Sequence, residues 1–412
     1  MNTILIIGTV WPEPNSTAAG QRIMQLVAIF TKFNYEIIFA SAATKTEFSL
    51  NLEQLNIHSQ SIELNSNSFD NLIKSIKPNI VLFDRFITEE QFGWRVSKTC
   101  PDAIKILDSE DLHFLREARK NCFKKNIPCT SIHLKNELAK REIAAFFRCD
   151  ITLIISKFEY ELLTHSFKLD PSLLHYIPMI YDEINESEFV NYPSFHERTD
   201  FFSIGNFLHQ PNWDTVLELK NKFWPLIKKK NPQANLHIYG AYVTEKAKQL
   251  NNIKEGFIIQ GRIQNSQDAF KKHRVLLAPL PYGAGIKGKL LESMRYGCPN
   301  VTTQIGSEAM HENLEWNGFV ENNPTAFAEK ATLLYSNENI WNHKQKNGTS
   351  IINLCFNKQN HEQNLVNTIN NIHLDTHRMQ NFFGQILNHH TLNSHKYMSK
   401  WIEEKNANKN NK

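Results

Sequence analysis

Two tandem α/β domains built on parallel sheets are what this sequence predicts, and three observations predict them. Short runs rich in Ile, Val and Phe alternate with helix-length amphipathic segments, the series starts again near residue 200, and 412 residues exceed what one ordinary core holds. In the first half the strands are "TILIIG", "YEIIFAS", "NIVLFD", "AIKILD" and "ITLIIS"; in the second they are "FFSIGN", "NLHIYG", "FIIQG", "VLLAPL" and "NVTT". Between the halves, "IPMIYDEINESEFVNYPSFHERTD" is polar, carries two prolines and has no clear periodicity, which sets the linker near 178–199. The expected units are 1–190, 191–356, and a helical, Asn-rich segment at 357–412 with a frayed Lys/Asn tail. Within that segment "HEQNLVNTINNI" has amphipathic spacing suited to packing on another element.

Composition narrows the partners. Apolar content of 41% with 21% charge is that of a soluble globular enzyme, and a net charge of +4 is too small for bulk nucleic-acid binding. Cys100, Cys122, Cys129, Cys149, Cys298 and Cys355 show no C-x-x-C spacing, so reduced thiols are expected and zinc is not. The opening "MNTILIIGTVWPEP" lacks the features of a signal peptide and no apolar run approaches ~18 residues, so a cytoplasmic location is expected.

The most informative stretch is "PYGAGIKGKLLESMRYGCPNVTT", Pro281 to Thr303. The chain has only 15 glycines, yet Gly283, Gly285, Gly288 and Gly297 fall here, with Lys287 and Lys289 between and beside them. "VLLAPL" reads as a buried strand and "LLESMRY" as a helix closed by Gly297 and Pro299. The glycine segment thus joins a strand's carboxyl end to a helix's amino end, where open parallel sheets bind ligands and unpaired amides attract anions. A phosphate or diphosphate is the expected guest. "GAGIKGK" lacks the G-K-[ST] of a Walker loop and does not lie in the first strand-helix unit, so the ligand would sit in the second half, in a cleft between the domains.

These residues resemble the donor-binding segment of GT-B-fold glycosyltransferases of the retaining family 4 type. The most specific piece is 279–310, "FFSIGNFLHQPNWD" and "EPNSTAAGQRIMQLVAIF" are similar to two further segments of that family, and the likeness of pattern extends over most of 1–355. It implies two Rossmann-like, doubly wound domains facing a central cleft, with a C-terminal helix crossing back onto the first. It also implies a nucleotide diphosphate sugar as co-substrate, an unidentified sugar, lipid-linked or protein acceptor, and a place in cell-surface polysaccharide or glycoconjugate biosynthesis. Carried over residue by residue, Lys287 and the Gly283, Gly285 and Gly288 loop hold the diphosphate with Lys289 close by. Glu292 takes the ribose, Gly205, Asn206 and Asn212 line the opposite wall, and Gly20 and Arg22 approach from the first domain. The family often shows glutamates eight positions apart; Glu292 fits the second, but the first position is Ala284. A nucleotide-sugar epimerase and a non-catalytic nucleotide-sugar-binding protein are the alternative readings.

"KILDSEDLHFLREARK" places Asp108, Glu110, Asp111 and His113 after a strand of the first domain, toward the expected cleft. His113 is the candidate to touch the transferred sugar, as the resemblance implies, or else a surface residue of a helix capped by Asp108 or Ser109. Asp108-Ser109-Glu110 imitates the metal-binding D-x-D of another transferase fold, but lysines in the other domain would neutralise the diphosphate, so metal independence is expected. Nine basic residues between 112 and 149 (Arg116, Arg119, Lys120, Lys124, Lys125, Lys135, Lys140, Arg141 and Arg148) against three glutamates form either a face for anionic lipid or an acidic acceptor, or a solvated helix surface. "HLDTH" sets His373 and His377 at i and i+4, which reads better as an exposed polar helix than as a metal site, and "WNGF" reads as packing and capping.

Overall fold

The computed structural model describes residues 2–410, without the side chains of 390–392 and 407–410. Seven parallel strands form the first sheet: β1 (Asn2–Gly8), β2 (Tyr35–Ser41), β3 (His58–Ser61), β4 (Ile80–Asp84), β5 (Ile104–Asp108), β6 (Ile151–Ile154) and β7 (Leu174–Tyr176), in the order β3-β2-β1-β4-β5-β6-β7. Six more form the second: β8 (Thr199–Ile204), β9 (Leu236–Tyr239), β10 (Phe257–Gly261), β11 (His273–Ala278), β12 (Asn300–Thr302) and β13 (Gly318–Val320), in the order β10-β9-β8-β11-β12-β13. Ile4 to Ile7 of β1 and Val275 to Ala278 of β11 are buried on both faces, which is why each reads as a continuous apolar run.

Three strands go beyond the sequence expectation. β3 ("HSQS"), β7 ("LHY") and β13 ("GFV") are short, polar or glycine-bearing, and each lies at a sheet edge with a single neighbour. Period and hydrophobicity are weakest in such strands. "WNGF", expected to pack and cap, supplies β13 through Gly318 and Phe319, while the Trp316 indole donates to Asn300 Oδ1 at 2.9 Å.

In each sheet the strand order reverses once, between β1 and β4 and between β8 and β11. Crevices open at the carboxyl ends of strands at such points, and the two crevices face one another.

The C-terminal helices return to the first domain. Phe356 and Lys358 pair through the backbone with Tyr181, and the helix Lys358–Asn370 buries Leu365, Val366 and Ile369 in the same cluster as Ile4, Ile6 and Phe30. The last helix, Phe382–Asn410, lies on Arg85–Thr99 and Glu137–Arg148, where Arg95 bonds Ser399 and Glu403. It continues to Asn410, and the last two residues of the tail expected to fray lie outside the described residues.

Two stretches singled out in the sequence take their place here. The helix expected to carry both histidines of "HLDTH" starts after His373, which caps it, and His377 Nε2 meets the Asp150 carbonyl at 2.6 Å. Six of the nine basic residues in the stretch 112–149 have carboxylate partners, as the helix-surface reading has it. Arg116, Arg119, Lys120, Lys140, Arg141 and Arg148 pair with Asp111, Glu308, Glu117, Glu137, Glu90 and Glu89, and Arg148 is buried. No described helix is long and apolar enough to cross a membrane.

Candidate functional site

The facing crevices enclose one cavity of about 530 Å³ between the sheets. It takes its walls from the loops after β1, β4 and β5 on one side and after β8 and β11 on the other. Five basic side chains (Arg85, Arg116, Arg262, Lys287 and Lys289) line it against three carboxylates, Glu110, Asp111 and Glu292.

The turn after β11 behaves as the glycines suggest, for a partly different reason. Lys287 stands at the N-cap position of the helix Gly288–Arg295 without a side-chain bond to its first amides, which an α-helix cannot pair internally. Its ammonium is buried and donates to the Gly285 carbonyl at 2.8 Å, and Lys289 Nζ donates to Asn212 Oδ1 at 2.9 Å. Burial brings both lysines down to about 8, with Glu308 partly holding up the first and Glu292 the second. Glu292 Oε1 accepts from Ser266 Oγ at 2.6 Å and from Gln21 Nε2 at 3.3 Å, a bond between the domains, and burial pushes this carboxyl upward.

Gly285 and Gly288 serve the approach of the domains. A Cβ at Gly288 would stand 2.9 Å from Ala18 Cβ, and one at Gly285, whose φ is +62°, would stand 2.7 Å from Asp111 Cβ. Gly283 has room for a side chain, its nearest neighbour being Lys287 Cε at 3.6 Å. The Gly285 amide is not free for a phosphate: it donates to Glu159 Oε1 of the first domain at 2.7 Å. A carboxylate thus reaches the turn beside Ala284 from across the cleft. Asn206 and Asn212 act as a bracket, Asn212 Nδ2 donating to the Asn206 carbonyl while its oxygen holds Lys289 next to Gly205.

On the first domain, His113 opens the helix His113–Lys125 and faces the cavity. Neither Asp108 nor Ser109 caps this helix. The Leu112 amide donates to Glu159, and the His113 and Phe114 amides to the carboxylate of Glu142, whose helix lies far along the chain. Burial lowers His113 to about 4, so its imidazole is neutral at pH 7 although Asp111 lies 3.5 Å away. Glu110 is driven the other way, to about 8, by burial and then by Asp108, and its Oε1 is buried with no partner among the described residues.

Gly20 and Arg22 do not approach the cleft. A Cβ at Gly20 would meet the Glu13 backbone at 2.5 Å, so this glycine packs the loop after β1 onto its helix. Arg22 is 1% exposed and is spent on Asp108, at 2.8 Å, and on the carbonyls of Ile177 and Pro178. Asp108 is therefore committed to a core ion pair with Arg22. The residues that line the wall in their place are Asn15 to Ala19 and Gln21.

Arg85, His209 and Arg262 were missed as cavity residues. Arg85 and Glu110 directly or nearly follow the ends of neighbouring strands β4 and β5, and both hold left-handed backbones, φ +70° and +62°. Such strain in bulky residues concentrates at functional sites. The position of Arg85, first after "NIVLFD", was the available signal.

The family model for Glycosyl transferases group 1 matches residues 198–337. No curated protein sequence matches the chain. Among solved structures, sucrose-phosphate synthase from Thermosynechococcus elongatus superposes with a TM-score of 0.65 at 13% identity, covering 90% of this chain and 98% of that one. Anabaena Alr3699/HepE in complex with UDP and glucose gives 0.63 at 12% identity over 90% and 100%, and TarM gives 0.67 at 10% identity over 90% and 99%. At such identities the likeness speaks for the fold, and the family match speaks for the second domain. The chain has the GT-B fold, and residues 198–337, within its second domain, match the model for Glycosyl transferases group 1.

Proposed function

We propose that the protein transfers a sugar from a nucleoside diphosphate sugar to an acceptor, with retention at the anomeric carbon and with lysines rather than a metal at the diphosphate. One observation carries this reading: Lys287, buried, and Lys289, half-buried, line the interdomain cavity at the amino end of a helix, where a diphosphate would relieve their desolvation. As the glycosidic bond breaks, negative charge grows on the leaving diphosphate, and two fixed ammonium groups with the helix terminus stabilise it where it forms. Glu292, oriented by Ser266 and Gln21, is placed for the ribose hydroxyls. His113, neutral, and Glu110 in its acid form can each donate to or position a hydroxyl in the space beyond the diphosphate. Arg85, paired with Asp84 Oδ1 at 3.5 Å, lines the same cavity and could meet an acceptor hydroxyl or anion there.

The solved complexes of Alr3699/HepE with UDP and with UDP-glucose make uridine the base to try first. Isothermal titration of the full chain with UDP tests the reading. Saturable binding that K287A and K289A each weaken supports it, and equal affinity in wild type and both variants sinks it. Release of UDP from UDP-glucose only when an acceptor is supplied separates transfer from epimerisation.

A further inference from the structure

A turn outside the cavity brings two thiols and an imidazole together. The helix His113–Lys125 ends at Asn126, whose left-handed backbone, φ +53°, reverses the chain so that the Ile127 amide donates back to the Cys122 carbonyl. Pro128 and Cys129 follow, over the helix end. Thr130 then caps the short helix Ser131–Leu134, its amide donating to His133 Nδ1 at 3.1 Å with its hydroxyl 3.0 Å from the same atom, so an ion bound by this ring replaces that amide bond: Nδ1 would have to release it, and Nε2 has a lone pair only once the ring proton has moved to Nδ1. The outcome is that the Cys122 and Cys129 sulfurs and a ring nitrogen of His133 all lie within 4.8 Å of one another. The spacings, seven residues and then four, are not C-x-x-C, which is why the sequence is read as free thiols; the left-handed helix end at Asn126 brings the groups together.

We propose that Cys122, Cys129 and His133 bind a thiophilic divalent cation, zinc foremost, with water in the fourth position. Around tetrahedral zinc, bonds of about 2.0–2.3 Å put neighbouring ligand atoms about 3.5–3.8 Å apart, so contraction by roughly an ångström closes the site. Two thiolates and an imidazole are the donor set that selects zinc over hard cations, and the two negative charges neutralise the ion in a half-buried place.

The ion would fasten the 126–133 turn to the end of the helix carrying Arg119, which donates to the Gly283 carbonyl at 2.8 Å and to Glu308 at 2.7 Å in the second domain. Phe123 of the same helix packs on Tyr282. The site is thus a clip on the outer side of the contact that holds the glycine turn. None of its three ligands lines the cavity, and it stands whether or not the donor reading does.

The test uses reduced, metal-stripped full-length protein titrated with Co²⁺, read by the thiolate-to-cobalt charge-transfer absorption, with Zn²⁺ as competitor. Saturation at about one ion per chain is expected, with loss of the band in C129S and affinity at least about tenfold weaker in H133A. Zn²⁺ should raise the melting temperature of wild type and leave C129S unmoved. Cys129 is exposed, so C129S without metal should melt as wild type does. The proposal is overturned if the reduced protein shows no thiolate band or if the band survives in C129S. It is equally overturned if Cys122 and Cys129 form a disulfide whose reduced form takes up no ion. UDP titration of the same samples reports on the donor site independently, so the two failures are distinguishable.

Discussion

Lys287 and Lys289 hold positive charge where water is largely excluded, and that desolvation is what an anionic ligand would relieve. K287A is expected to weaken UDP binding by about 1.5–3 kcal/mol, the range of a charge-assisted hydrogen bond, measurable by titration calorimetry. The pH dependence follows with its sign. Both lysines titrate near 8 in the free protein, and a bound diphosphate raises them. Affinity should be highest between about pH 6, where the terminal phosphate of UDP gains its second charge, and about pH 8, and fall as pH rises through 8, with proton uptake on binding in that upper window, visible as a buffer-dependent enthalpy; affinity that climbs through pH 8 contradicts this. His113, near 4 and neutral, has no such part, so H113A should slow turnover while UDP affinity stays nearly unchanged. At this scale the sequence was informative about the second domain. Lys287, Lys289, Glu292, Asn206 and Asn212 all reach one cavity because they flank short, regular strand-to-helix turns. It misled about Arg22, since a basic residue on an amphipathic helix gives no sign that Asp108, on a strand 86 positions away, will bury it.

Among the elements, the turn after β11 explains its own glycines by what lies opposite. Gly285→Ala would force a side chain into a left-handed backbone and toward Asp111, so it should lower stability by more than about 1 kcal/mol in a urea titration and hinder closure. Small-angle scattering with saturating UDP would show the variant less compact than wild type. An unchanged profile and unchanged stability would mean that the turn has slack the geometry denies it. Strand position was legible where apolar runs were long, as in β1 and β11, and illegible for β3, β7 and β13, whose place at the sheet edges comes from pairing rather than composition. The caps of the helix His113–Lys125 were invisible for a related reason: Glu142 and Glu159 arrive from elements that only the folded sheet brings near.

For the molecule as a whole, the end of the chain completes the beginning. Leu365 is fully buried against β1 and its neighbours, so L365A should cost about 2–5 kcal/mol, as truncation of a buried leucine does. The loss should appear in the unfolding of the first domain, resolved by hydrogen exchange at Ile4 to Ile7, although the mutation lies beyond the second. Loss confined to the second domain would refute that arrangement.

By itself the sequence determined two parallel-sheet domains and an anion-seeking turn at the amino end of a helix, because hydrophobic period, glycine placement and lysine spacing are local and act over a few residues. Only the tertiary structure decided which charges are spent on the core and which face the cavity, why Gly285 must be a glycine, and that Cys122, Cys129 and His133 meet. The first two depend on sheet order and domain closure, which no local spacing encodes, and the third on a helix end whose left-handed Asn126 turns the chain back on itself.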